Sequence, residues 1–290
     1  MSRPEDLYLS SAAPLGTSGS VQVTWLGTAG FAVHHDNHVL LLDPYLTRPS
    51  LWRCVAAPLA SDAALVQRLI PRADAIILSH THFDHALDTP EIARHTGARV
   101  FGSRSAVHLC RNHGIPEASL QCVERSSTAA PAEAEVGPFR LRFWPSAHSA
   151  LLFGRVPFPG DITDCGDVSL RTEAYRCGAV FGTEIEVGGR RLFHVGSAEL
   201  VEQGWRVRNV DLALACVAGW TSTDRYPERL ASALSPAAIL FHHWDNFLRG
   251  LDHDVRALPA MRFASLVERL DRAIPRVPLG TVPLLGSVSV

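Results

Sequence analysis

Ser79-His80-Thr81-His82-Phe83-Asp84-His85 follows directly on the apolar run Ala75-Ile76-Ile77-Leu78, and its reading decides the fold. Between His80 and His85, three imidazoles and one carboxylate fall within six residues. His80 and His82 are two apart, so in an extended chain they point the same way. Asp84 and His85 follow where a strand gives way to a loop or helix, so one short segment can serve two adjacent positions in space. Imidazole and carboxylate are ligands that Zn(II), Mn(II) or Fe(II) accept. Histidines scattered through a sequence would seldom meet this spacing, which favours a metal site over a surface role.

Working outward, the chain alternates strands and helices. Val21–Leu26 alternates as a strand, Gly27–Gly30 turns into Phe31–Val33, and Asp36-Asn37 turns again into Val39–Leu42, a meander ending at Asp43-Pro44. Residues 62–70 have helical spacing and stop at Pro71, and 75–79 reads as a buried strand. A helix starting near Thr89, a strand at 98–101 and a helix over 104–113 follow. Strand, helix, strand, helix in succession means covered sheets, an α/β arrangement. After Gly137-Pro138, a strand over 139–144 delivers His148. Residues 150–178 are irregular, and a loop of that length beside a site shapes it. A hairpin over 179–195, strands at 212–217 and 237–241, and helices near 227–233 and 258–273 complete the pattern. Residues 1–18 are expected to be a flexible lead-in and 276–290 a terminal strand or strap. The domain between them, 19–275, divides into halves of about 19–136 and 137–275.

Composition sets limits. The 290 residues, 47% hydrophobic with a net charge of −2, suit a large core. They argue against disorder and against a nucleic-acid partner. Uncharged runs too short for a bilayer and an N-terminus without a secretory pattern give an expectation of a cytoplasmic protein with no stable membrane insertion. The six cysteines include no CxxC pair and read as free thiols, with a Cys165–Cys177 bridge the one pairing to consider. With nucleic acid and membrane set aside, a small-molecule substrate is the expected partner.

Trp25-Leu26-Gly27 with Gly30-Phe31, Asp43, the HxHxDH cluster, His148, Gly196 after a strand, and His243 stand in an order that resembles the metallo-β-lactamase-fold hydrolases. Within that family the pattern is most similar to the branch of L-ascorbate-6-phosphate lactonase and N-acyl-phosphatidylethanolamine-type phospholipase D. The resemblance implies a four-layer αββα sandwich of two pseudo-equivalent halves. It implies that His80, His82 and His148 hold one metal and Asp84, His85 and His243 a second, with Asp43 behind them accepting a hydrogen bond from a ligand imidazole. His243 is preferred over His242 because His243-Trp244-Asp245-Asn246-Phe247 matches the family's His-aromatic-Asp-x-Phe pattern. The expected cofactor is zinc, one or two ions, with Mn(II) or Fe(II) as alternatives.

One position departs from the family. Where a Gly-Asp pair is usual and the Asp bridges both metals, the sequence reads Gly196-Ser197. A hydroxyl is a poor substitute for a bridging anion. Glu199, an acid of the 161–167 loop, or hydroxide alone could compensate, and with one metal Asp84 could serve as general base. Arg225 could clasp an anionic substrate group. Trp52, Phe158 and Trp244 are candidate pocket walls, and His194 a weaker candidate for the metal centre. The resemblance implies metal-assisted hydrolysis of an ester, lactone or phosphodiester by metal-bound hydroxide. The alternatives are a non-catalytic metal-binding homologue, suggested by Ser197, and an iron-dependent sulfur dioxygenase.

Overall fold

The computed structural model describes residues 3–9, 21–125, 130–151, 154–166 and 168–290. Strands β1 (Val21–Gly27), β2 (Gly30–His35) and β3 (His38–Leu42) form the expected antiparallel meander. Helices α1 (Leu51–Ala56) and α2 (Ala63–Leu69) lead to β4 (Ala75–Ile77), then α3 (Phe83–Ala86) and α4 (Thr89–Thr96) to β5 (Arg99–Gly102), and α5 (Arg104–Asn112) to β6 (Leu120–Cys122). The three later strands add in parallel, each after a helical crossover.

The second sheet starts with β7 (Ala132–Val136), β8 (Phe139–Ser146), β9 (Val180–Val187) and β10 (Arg190–Val195), all antiparallel. It continues in parallel through β11 (Leu212–Cys216), α6 (Tyr226–Leu234), β12 (Ile239–His242), α7 (Phe263–Ala273) and β13 (Leu279–Gly280). The last strand, β14 (Ser287–Ser289), returns to pair with β1. Each sheet has seven strands, in the orders β14-β1-β2-β3-β4-β5-β6 and β13-β12-β11-β10-β9-β8-β7.

The layers follow from strand alternation. Leu40 and Leu42 of β3 face the second sheet, in one core with Phe139, Leu141, Phe143 and Ile185. Val39 and Leu41 face the other way, against Val66, Ile70, Ile92 and Cys110 of the helices. Both faces of the strand are dry, which is why its sequence is apolar throughout. Leu230, Leu234, Leu266 and Leu270 cover the far side of the second sheet, so the molecule is the αββα sandwich expected.

Several boundaries differ from expectation. Residues 132–136 pair with β8, so Gly137-Pro138 is a hairpin turn inside the second half rather than the start of it. The helix expected from 258 begins at Phe263, because Pro259 and the left-handed backbone of Ala260 and Arg262 keep the preceding segment unwound. Pro4–Leu9 is not a loose lead-in: Thr281 donates a backbone bond to Leu7 and Leu9 donates one to Thr281. The rest of the N-terminal stretch lies outside the described residues. Residues 276–290 tie the two sheets together, one strand in each. Cys165 and Cys177 are both free. No helix among the described residues is long and apolar enough to cross a membrane.

Candidate metal centre

After β4 the chain runs through Ser79-His80-Thr81 outside regular structure, pinned by the Thr81 N–H on the Cys177 carbonyl. His82 then caps a single helical turn, its carbonyl accepting from the N–H groups of His85 and Ala86 at 3.0 Å. The stretch before the turn presents His80 and His82, and the turn presents Asp84 and His85. His148 arrives just beyond the end of β8. His243 follows β12 directly at φ +58°, its N–H donating to the Thr28 carbonyl at 2.8 Å.

These elements form two adjacent triads, His80/His82/His148 and Asp84/His85/His243, each with ligand atoms within 4.8 Å of one another. The rings of His80 and His85 lie 3.8 Å apart, joining the triads. Protein acceptors decide which nitrogen of each imidazole is free. His82 Nε2–H donates to the Pro157 carbonyl and His148 Nδ1–H to the Ser149 carbonyl, both at 2.8 Å. Asp43 accepts from His85 Nδ1–H at 2.8 Å and from the Ser79 hydroxyl, whose oxygen is thereby left to accept from His80 Nδ1–H at 3.1 Å. The remaining nitrogens carry lone pairs, and His80 Nε2 is buried with no partner at all. An unpartnered buried nitrogen among four further imidazoles and a carboxylate is the donor set a divalent cation needs, so the residues fit a metal.

Electrostatics divide the centre. Burial and neighbouring imidazoles hold His80 well below the ordinary histidine value, and burial with His82 takes His148 down to about 3. Burial also lowers His82, against the pull of Asp84. Burial disfavours the His85 cation too, yet the carboxylates of Asp43 and Asp84 outweigh it and its pKa rises. Burial works against the ionised form of Asp84, but His85 and His243 hold it well below the usual carboxylate range. Such a carboxylate is a better ligand than proton acceptor, which counts against the general-base role expected of Asp84.

Ser197 is buried at the same place, its hydroxyl accepting the Ser149 N–H at 3.2 Å. Gly196 is required there, since a Cβ would stand 2.0 Å from Ser79 Oγ. Glu199 turns away, accepting from Thr223 and its own neighbour's N–H and facing Arg229. Asp161 accepts from Ser105 and Asp164 pairs with Arg111, while Asp167 lies outside the described residues. Neither Glu199 nor the two described loop acids supplies the missing carboxylate.

Other candidates fall elsewhere. Arg225 is exposed ahead of α6 and does not line the cavity over the triads. Buried His194 donates from Nε2–H to the Ala29 carbonyl at 3.1 Å and stacks on His242, so both belong to the core behind the centre. Trp52 is 78% exposed, and Trp244 stacks on Trp25.

The cavity measures about 380 Å³. Phe158, Phe247, Leu258, Pro259 and Met261 supply much of its wall, and among the described residues no arginine lines it. Sequence reasoning found Phe158 but missed Phe247 as a wall, although it closes the His243–Phe247 pattern, and missed Leu258, Pro259 and Met261, which come from a segment read as helix. It also missed Ser79 and the carbonyls of Pro157 and Ser149. A further unforeseen element is Arg48, whose buried guanidinium lies 2.6 Å from Asp245. Asp245 also accepts the Thr28 N–H at 3.0 Å, so this pair braces the loop that receives the His243 N–H.

A family model described as the Beta-lactamase superfamily domain matches residues 38–245. A UPF0173 metal-dependent hydrolase of Anaeromyxobacter sp. (strain K) is 27% identical over 258 residues, covering 85% of this chain and 84% of the relative. One from Thermodesulfovibrio yellowstonii is 25% identical over 253 residues, covering 83% and 85%. Among solved structures, the metallo hydrolase Igni18 of Ignicoccus hospitalis superposes with a TM-score of 0.59 at 16% identity, covering 93% of this chain and 98% of that one.

Proposed function

The chain belongs to the Beta-lactamase superfamily, and on that premise we propose that it is a metal-dependent hydrolase of neutral ester or lactone substrates bearing an apolar substituent. The observation that carries the reading is the pairing of two histidine-rich triads with a cavity whose remaining wall is apolar and free of guanidinium groups. His80, His82 and His148 would hold one ion and Asp84, His85 and His243 another, zinc suiting this donor set, with Mn(II) or Fe(II) also accepted. A divalent ion there supplies Lewis acidity and an activated water near neutral pH.

The protein's own part is orientation and exclusion. Ser79, Pro157, Ser149 and Asp43 fix the imidazole tautomers, leaving their free lone pairs convergent without rearrangement. Asp84 supplies negative charge. Phe158, Phe247 and Met261 surround the substrate's apolar part and keep bulk water out. A phosphodiester anion would have only the metal ions to meet its charge in this cavity, with no guanidinium to hold its remaining oxygens, whereas a neutral carbonyl group needs none.

The test offers metal-loaded protein p-nitrophenyl esters of increasing acyl length, lactones, and bis(p-nitrophenyl) phosphate. Ester or lactone turnover is expected, falling by more than about a hundredfold in His82→Ala together with metal per chain by elemental analysis. Preference for the phosphodiester would overturn the substrate class. Complete inertness with metal loaded would overturn catalysis itself.

A further inference from the structure

A cavity of about 720 Å³ lies apart from the metal centre, between the segment 205–209 and one side of α6. Its wall holds five arginines and two glutamates. Charge accounting separates them. Glu202 is taken by Arg229, at 2.7 and 2.8 Å, and Glu228 by Arg269 from α7, at 2.9 and 2.6 Å. Arg191 is taken by Glu184 and Glu186. Arg206, Arg208 and Arg225 have no ion-pair partner among the described residues, and Arg206 donates only to the backbone carbonyls of Gln203 and Trp205.

The local backbone aims these charges together. Trp205 and Val207 are buried while Arg206 and Arg208 are exposed, so the alternation of an extended segment places both guanidinium groups on one side. Arg225 borders the same cavity from the far end of the chain segment that follows. The chain has no lysine, so all 27 basic side chains are arginine. A guanidinium offers paired donors matched to the oxygens of a phosphate group.

We propose that this cavity is a binding site for the oligophosphate chain of a small molecule, held by Arg206, Arg208 and Arg225. Three cations without a close ion pair around one concavity, Arg225 only feeling Glu228 at longer range, suit several closely spaced oxyanions better than a single one. With a net charge of −2 the chain lacks the broad basic surface that a nucleic acid requires. The site accounts for Arg225, which the substrate cavity does not use.

Equilibrium dialysis of metal-loaded protein, with the metal ion kept in excess, is carried out against inorganic tripolyphosphate, inorganic phosphate and ATP. Tripolyphosphate is expected to bind at least about tenfold more tightly than phosphate, and more weakly as salt rises. The Arg206→Ser/Arg208→Ser variant, and separately Arg225→Ser, should each weaken it by about tenfold or more, with urea stability unchanged. His82→Ala should leave it intact. ATP binding more tightly than tripolyphosphate would identify a nucleotide, and equal binding a bare phosphate chain. Undiminished binding in the arginine variants, or its loss in His82→Ala, would overturn the proposal by placing the anion elsewhere or on the histidine cluster.

Discussion

His80, His82 and His148 are anchored by neutral acceptors, a hydroxyl and two carbonyls, whereas His85 and His243 face the carboxylates of Asp43 and Asp84. The first triad therefore holds its imidazoles neutral and ready for a cation. In the second, the same anions that would favour a cation also favour a proton on His85. Metal and proton compete most directly there, and the serine at 197 removes the carboxylate that would have tilted that competition toward metal. The difference teaches that the two triads, though 3.8 Å apart at their nearest ring centres, should respond to different perturbations.

The harshest way to break the second triad is from behind. Arg48→Met leaves the Asp245 carboxylate buried without its cation, and should cost about 3–5 kcal/mol in urea unfolding. In the loaded protein, loss of the ion at His243 should exceed loss at His80 and His82. Asp43→Asn should weaken metal binding by about 10–100-fold, measured by competition with a chelator. Because Asp43 touches His85 directly and His80 only through Ser79, the weaker ion should go first; simultaneous loss of both would merge the triads into one unit.

Ser197→Asp sharpens the same contrast in the opposite direction. A carboxylate at that place should bring metal content closer to two per chain and tighten the weaker ion by about tenfold, read by elemental analysis and competition. An unchanged metal content would show that the serine does not limit the second site.

Acid should act with the smallest and most graded effect on the metal-free protein. Histidines lowered in the fold, His148 at about 3 among them, bind protons more readily when unfolded, so their contribution is complete above the ordinary histidine value and lost as pH falls. His85 is raised, so its contribution is complete below that value and lost as pH rises through its folded pKa. Melting temperature should therefore fall by a few degrees as pH drops from 7 to 5, and His85→Asn, lacking the opposing arm, should fall more steeply.

Much of this centre was legible in the chain because side-chain ligands leave a spacing, and the HxHxDH cluster with Asp43, His148 and His243 shows one. The acceptors that orient the imidazoles at Pro157 and Ser149 are backbone carbonyls, which every residue has and no pattern marks. Leu258 and Met261 were read into α7 because their apolar spacing continues the helix, and the left-handed residues Ala260 and Arg262, with no glycine to announce them, break it. The edge strand β6 is only three residues long, and β7 alternates with alanine as its apolar residue, which marks a strand weakly. Ser197 was visible at once, but that Glu199 is committed to Arg229 and Thr223 required coordinates.

The origin of the cavity wall has a consequence for how such a molecule can diversify. The six ligands stand at strand ends or on the α3 turn, locked by bonds among themselves and the core, while Leu151, Phe158, Leu258, Pro259 and Met261 come from segments outside every strand and helix. Substitutions at Leu258, Pro259 and Met261 can redraw the chamber without disturbing the ligands, whereas Leu151 and Phe158 neighbour the Ser149 and Pro157 carbonyls that orient His148 and His82. Substrate range and chemistry are thus inherited on separate stretches of the gene, and the first can drift while the second stands still.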